Sequence, residues 1–367
     1  MSRQEHLSNI FLNNYLNAFA PVAQETDGQK IWSDYIKQYV DFLKQDAYGT
    51  SYGILKRKHK SGSSVGAVPD RKVVIEAHCD EIAWIITHID EDGMIRVRKH
   101  GGSDAMIAPS KKVIIHTHSG ERVRGLFGWP AIHTRAKQKV EGYAQHELWV
   151  DCGLKDYDAV TKAGVEVGCL ITYDTQLEII GDYYVGRSLD NKIGGYIIAE
   201  ALRTIVERKI ELPYDLYVVN SVQEEVGLFG AKMIAKHLHA DLALVHDVCH
   251  NVNHPGMDRA KYGPVDGGKG PSLEYTSQNH RGILNELKRV ASKYDLPLQH
   301  HVGSYGNDTV AFFLENTPTA ILATPLKYMH TTVEMAHIKD VENCIELFVK
   351  FLKELTPELI DTINNKN

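Results

Sequence analysis

Apolar and polar positions along the chain alternate in two textures. Between Asp34 and Lys44, the residues Tyr35, Ile36, Tyr39, Val40 and Leu43 recur at helical spacing, which predicts one amphipathic helix. Val73, Val74 and Ile75 form a β-branched run that stops at His78, which predicts a strand. After Asp190 helix and strand patterns take turns. Helices are predicted over Ile193–Ile205, Phe229–His239, Ile283–Lys293 and Val341–Leu355, and strands over Leu216–Val222, Leu242–Val245 and Thr319–Ala323. That alternation implies a mixed or mostly parallel sheet covered by helices on both faces.

From about Ile85 to Gly181 the texture changes. Short alternating runs such as "GMIRVRK", "KKVIIHTH" and "ERVRGLFG" sit between Gly, Asp and Ser with little helical periodicity, so a small β-rich unit is expected here. The economical architecture is one α/β domain, residues 1–84 and 182–367, interrupted after its early strand by a β-rich domain, residues 85–181. Composition adds exclusions. A 367-residue chain that is 43% hydrophobic can bury one large core or two smaller ones. A formal net charge of -6 argues against a nucleic-acid partner, whose binding rests on a basic face. The start of the chain lacks the pattern of a signal peptide, and no apolar run reaches bilayer length, so no membrane association is expected. Cys79, Cys152, Cys169, Cys249 and Cys344 are odd in number and contain no CxxC pair, which suits a reducing, cytoplasmic location.

Chemistry in open α/β sheets collects beyond the carboxyl ends of strands. There the predicted strands deliver His78 and Asp80 in "HCD", Glu224 and Glu225 in "QEE", Asp247 after His246 in "HDV", and His330 in "LKYMH". Asp190 opens a predicted helix in "GRSLDNKIGGY". These are ligand types for zinc and its neighbours. Taken singly each has a plainer account: Asp190 as a helix cap, the two glutamates as a solvated corner, His78 as a rim residue. Together they converge. His246, His250 and His254 recur every four residues, but "HNVNHPGMD" reads as loop. His116 and His118 alternate on one expected strand face and are expected to meet solvent. Cys79 is expected to point away from His78 and Asp80 as a buried apolar residue.

The segments "EAHCDEIAWIITHIDEDGMIRV", "LDNKIGGY", "QEEVGLFGAK", "HDV" and "LKYMH", in this order, resemble the M42 metallopeptidases, di-metal aminopeptidases of the glutamyl and tetrahedral types. "GWPAIH" and "LWVDCGLKDYDAVTKAGVEVGCLITY" look like parts of that family's inserted domain. The resemblance implies a zinc-peptidase-like mixed sheet between helices, with a PDZ-like inserted domain that mediates self-assembly, from dimers to dodecamers. It implies an aminopeptidase acting on peptides through two divalent ions, zinc first, with cobalt and manganese as alternatives. His78 and Asp247 would be terminal ligands, Asp190 the bridge, and Glu225 and His330 the remaining ligands. Asp80 would accept a hydrogen bond from His78, and Glu224 would be the general base. Two places depart from the family pattern. Asn191 and Lys192 stand where a second aspartate and an arginine are usual, and "GSYGNDTV" replaces a Gly-Thr-Asp loop. Rival readings are a carboxypeptidase or deacylase on a similar sheet, and a non-catalytic binding protein. A glycosidase using Glu224 and Glu225 is disfavoured, because its carboxyls must face each other about 5–9.5 Å apart across the sugar.

Overall fold

The computed structural model describes residues 9–57, 70–134, 145–303 and 306–364. Its strands are β1 Phe42–Gln45, β2 Ser51–Leu55, β3 Lys72–His78, β4 Ala83–Ile89, β5 Ile95–His100, β6 Lys112–His116, β7 Arg122–Phe127, β8 Trp149–Asp151, β9 Leu170–Tyr173, β10 Glu178–Ile180, β11 Tyr183–Gly186, β12 Asp215–Ser221, β13 Leu242–His250, β14 Ser272–Tyr275, β15 Gln299–Val302, β16 Thr319–Lys327 and β17 Glu334–His337. One large mixed sheet runs β1-β2-β12-β3-β13-β16-β17-β11-β10, with β14 and β15 attached beside β16. Its centre, β12-β3-β13-β16, is parallel. These strands are buried on both faces and read as near-continuous apolar runs, as parallel strands under two helical layers must.

The helices are α1 Ile10–Asn17, α2 Thr26–Ile36, α3 Tyr157–Lys162, α4 Leu189–Glu207, α5 Phe229–Leu238, α6 Arg259–Tyr262, α7 Arg281–Lys293, α8 Thr309–Leu314, α9 Ile338–Glu354 and α10 Pro357–Asn364. One face of the sheet packs against α1, α2, α4, α7, α9 and α10, and the other against α5 and α8. Helix α4 is buried nearly all round, the mark of a core helix rather than a surface one. Among the described residues no helix is long and apolar enough to cross a membrane.

Strands β4 to β9 close into a separate barrel, ordered β4-β5-β8-β7-β6-β9. Trp84, Ile115, Phe127, Val150 and Tyr173 fill it. The chain enters it five residues after His78 and leaves it before β10, which pairs with β11 in the main sheet. The chain leaves from the carboxyl end of the central strand β3 and rejoins the sheet at its outermost strand, β10, and the turn after β5 lies against Glu225 and His330 beyond the central strands.

Two expectations need correction. The helix predicted over Asp34–Lys44 lies upstream, at Thr26–Ile36, where Gly28, Gln29, Trp32 and Ile36 form the buried stripe. Phe42–Gln45 pairs antiparallel with β2 instead, because a sheet edge offers its backbone partners that an isolated helical turn lacks. His116 does not meet solvent. It is buried, with Nε2 2.9 Å from Thr172 Oγ1 and its ring 4.8 Å from Phe19 of the main domain, and burial pushes its imidazole down to about 4. Alternation alone cannot reveal that a second domain covers that face. His118 is exposed.

Candidate metal centre

Parallel pairing of β3, β12 and β13 brings three chain segments to one edge. Ser221, the last residue of β12, pairs with His78, the last of β3. Asp247 lies two residues beyond the Val245–Glu76 pair and so arrives at the level of His78. The chain after Ser221 turns sharply through Gln223 and Leu228, both in the left-handed region, and Gly227 at φ 143°. Gly230 is required by space: a Cβ there would overlap Val222 O and stand 2.5 Å from its N. This turn presents Glu224 and Glu225.

Asp190 stands in the irregular first turn of α4, after Ser188 at the N-cap position, and the Asp190–Asn191 peptide is cis. Its carboxylate faces two imidazoles, one per oxygen. Oδ1 is 3.4 Å from His78 Nε2 and Oδ2 is 3.3 Å from His330 Nε2. Asp247 Oδ1 lies 3.8 Å from His78 Nε2, and Glu225 Oε1 lies 3.2 Å from His330 Nε2. Two triads result, His78–Asp190–Asp247 and Asp190–Glu225–His330, each offering ligand atoms within 4.8 Å of one another. Glu224 is in neither; its Oε2 is 3.9 Å from His78 Nε2.

The donor set fits divalent cations. It gathers carboxylates and imidazoles in a site where His78, Asp190 and Asp247 are buried, and buried like charges must be compensated. The ionisation pattern carries that strain. Burial, with Asp308, Asp247 and Glu225 adding to it against the pull of His78, pushes the Glu224 carboxyl up to about 10. Burial and Asp190 likewise hold Asp247 well above the carboxylate range. Asp190 runs the other way: burial raises it, but His330 and His78 outweigh that and hold it below its ordinary value. Burial works against protonating His330, yet Asp190 and Glu225 push its imidazole up to about 11.

The family model described as M42 glutamyl aminopeptidase matches residues 62–347. The chain belongs to the M42 aminopeptidase family. It is 30% identical over 331 residues to the lysyl aminopeptidase of Pyrococcus furiosus, covering 88% of this chain and 90% of that one. An aminopeptidase from the archaeon Desulfurococcus kamchatkensis superposes with a TM-score of 0.88 at 26% identity, covering 98% of each chain. The TET1 peptidase of Pyrococcus horikoshii, which can assemble into a tetrahedron or a large octahedral shell, superposes at 0.83 with 25% identity, covering 96% of this chain and all of that one. This M42 protein is accordingly a hydrolase of the aminopeptidase class.

Sequence reasoning did not single out Glu334 or Glu81, and the residues it did name around the centre make further contacts. Asp80 accepts hydrogen bonds from the backbone N–H of Glu224 (3.0 Å) and of Glu225 (3.1 Å), so it fixes the turn as well as facing His78, whose Nδ1 lies 3.5 Å from Asp80 Oδ1. Glu334 accepts from the backbone N–H of Asp190 and of His330. Its only sequence signal is an acid opening the short strand "EMAH". The two departures from the family pattern also have partners. Asn191 donates to His246 O (2.8 Å), and its Oδ1 meets His246 Nδ1 at 3.1 Å, tying the start of α4 to β13. His246 is thus a buried structural residue, bonded also to Thr324. Lys192 is fully buried and pairs with Glu81 at 3.0 Å, which also receives Arg187. Cys79 is buried, away from the donor set, where a Cβ on Gly28 would stand 2.8 Å from its Sγ. In the loop 303–310, residues 304 and 305 lie outside the described residues; Asp308 accepts from Ser221 Oγ at 3.2 Å.

Proposed function

We propose that this M42 protein removes N-terminal residues from peptides with a pair of divalent cations, zinc foremost and cobalt or manganese as alternatives, held by His78, Asp190, Glu225, Asp247 and His330. The observation that carries the reading is the division of Asp190: each of its oxygens faces a different imidazole, and each imidazole belongs to its own triad. Mixed imidazole and carboxylate donors suit these metals. When bound, such a pair supplies Lewis-acid activation of water and of the peptide carbonyl.

The chain's own residues do the rest. Glu224, outside both triads, takes a proton from water and delivers it to the departing amine. A base must be ionised to act, and in a metal-free site Glu224 is held protonated by burial and its acidic neighbours. With cations held by the two triads Glu224 would be ionised instead, so base and metals would be interdependent. Asp80 keeps the two adjacent glutamates on separate tasks by fixing both of their N–H groups. Its backbone O at 3.3 Å and its Oδ1 at 3.5 Å both face Nδ1 of His78, which sets that ring's orientation.

The barrel, β4 to β9, is the assembly domain and the rest of the chain the peptidase domain, to which β10, Glu178–Ile180, belongs because it pairs in the main sheet. Support comes from the barrel's exposed apolar side chains, Met106 and Ile132 at 71% each, and from the shells formed by the TET1 relative. The five cysteines are all free, which accords with a reducing cytoplasm. The test is a panel of free and amino-blocked peptides, assayed after chelation and after each metal is added back. Cleavage of free amino termini, lost on chelation and restored by metal, is expected. Cleavage of amino-blocked peptides alone would overturn the reading.

A further inference from the structure

We propose that Gly102 and Glu334 are positioning residues for His330, one supplied by the barrel and the other by the main sheet, so that the seat of the barrel decides whether the Asp190–Glu225–His330 triad closes on a cation. The inference rests on the metal-centre reading above and extends it to residues outside the donor set.

His330 sits in the loop between β16 and β17 with φ at 61°, in the left-handed region that non-glycine residues rarely occupy. Tyr328, two residues earlier, shares that conformation. Such a backbone persists only when its surroundings hold it. Glu334 supplies the hold. Its Oε1 accepts from His330 N at 2.8 Å while its Oε2 accepts from Asp190 N at 3.1 Å, and the side chain is buried. One carboxylate therefore fixes the spacing between two donors that come from a loop and from a helix start.

The ring itself is held from the other side. His330 Nε2 faces the Asp190 and Glu225 carboxylates. The edge carrying Nδ1 and Cε1 lies against Gly102, where a Cβ would overlap Nδ1 and stand 2.5 Å from Cε1. Gly102 is not in the left-handed region, so it is space and not backbone conformation that excludes a side chain there. Neighbouring Gly101 leans on the next donor: a Cβ there would stand 3.3 Å from Glu225 Cβ. Both glycines follow β5, and this segment is anchored in the barrel by Ser103 Oγ donating to Ala83 O at 2.7 Å. The barrel in turn is tied to the main domain by Arg122, which pairs with Asp27 at 2.5 Å and lies 4.4 Å from the centre of the Phe19 ring. A ligating imidazole needs its far edge fixed to keep its aim. Here barrel backbone fixes it.

The test strips the full-length protein of metal and titrates cobalt, reading ligand-field absorption and heat for wild type, Gly102→Ala and Glu334→Gln. Wild type should bind in two steps. Gly102→Ala should weaken one step by roughly 10- to 100-fold and change its absorption band, leaving the other near wild type, while Glu334→Gln, which also frees the N–H of the shared Asp190, should weaken that same step most. Turnover should fall at limiting cobalt and recover with excess metal. Each variant judges its own residue, and if Gly102→Ala does not fold, Arg122→Ala, which removes the barrel's pair with Asp27 and its stack on Phe19, judges the barrel's part by the same titration. Unchanged titrations, or both steps weakened equally alongside a lowered Tm, would overturn the proposal. Wild type that binds two ions yet releases no N-terminal residue would refute the aminopeptidase reading and leave this one standing. Wild type that binds fewer than two ions would refute both.

Discussion

Replacing Glu224 by Gln separates the two adjacent glutamates by function. The amide keeps the side chain's volume, and the backbone N–H that Asp80 holds at 3.0 Å is untouched, so the turn should persist. Glu224 belongs to neither triad, and its carboxylate approaches the donor set only at 3.9 Å from His78 Nε2. Metal content should therefore stay at the wild-type level. What disappears is the proton carrier. General-base catalysis contributes roughly 10²- to 10⁴-fold, which at about 1.4 kcal/mol per decade is about 3–6 kcal/mol of barrier. The loss should fall on kcat, with KM little changed. Without metal the Glu224 carboxyl is protonated at neutral pH, so Gln resembles the form already present and the Tm of stripped protein should hardly move at pH 7. The assay pairs steady-state hydrolysis of an aminoacyl chromogenic substrate with metal analysis of the same preparation. Full turnover with full metal would place the base elsewhere. Loss of metal together with turnover would make Glu224 a ligand and undo the division of labour argued for the pair.

Three further outcomes follow from the same geometry. Asp190→Ala removes the one residue shared by both triads, so metal analysis should find both cations lost and hydrolysis abolished; retention of either ion at wild-type affinity would refute the bridge. Glu81→Gln strands the buried Arg187 and Lys192 cations and should cost roughly 3–5 kcal/mol, read by denaturant unfolding, whereas a change under about 1 kcal/mol would show the network to be dispensable. Glu224 and Glu334 have folded-state values of about 10 and about 8, raised by burial above their ordinary 4.5. Their contribution is fully present below that ordinary value and lost as pH rises through the folded ones, so stripped protein should lose Tm between pH 5 and 9. Metal should protect increasingly over that range, and a stripped Tm that rises with pH would contradict the assignment.

The sequence by itself carried the strand–helix alternation after Asp190, the β-rich interval and the order of acid and imidazole residues at strand ends. Apolar periodicity reports which residues seek a core, and strand ends in an α/β pattern report where polar side chains must emerge. It misplaced the helix near Asp34, because the edge of β2 captures Phe42–Gln45 and only folding creates that edge. It left His116 facing water, because the domain that buries it packs from outside the strand's own pattern. Glu334, Lys192 and Gly102 were illegible for one common reason. A carboxylate that joins two backbone groups, a cation sunk beside an acid 111 residues away and a glycine pressed against an imidazole are all relations between distant segments. Periodicity along one segment contains no term for them. Only the closure of the sheet and the seating of the barrel decided which of these residues meet, and at what distance.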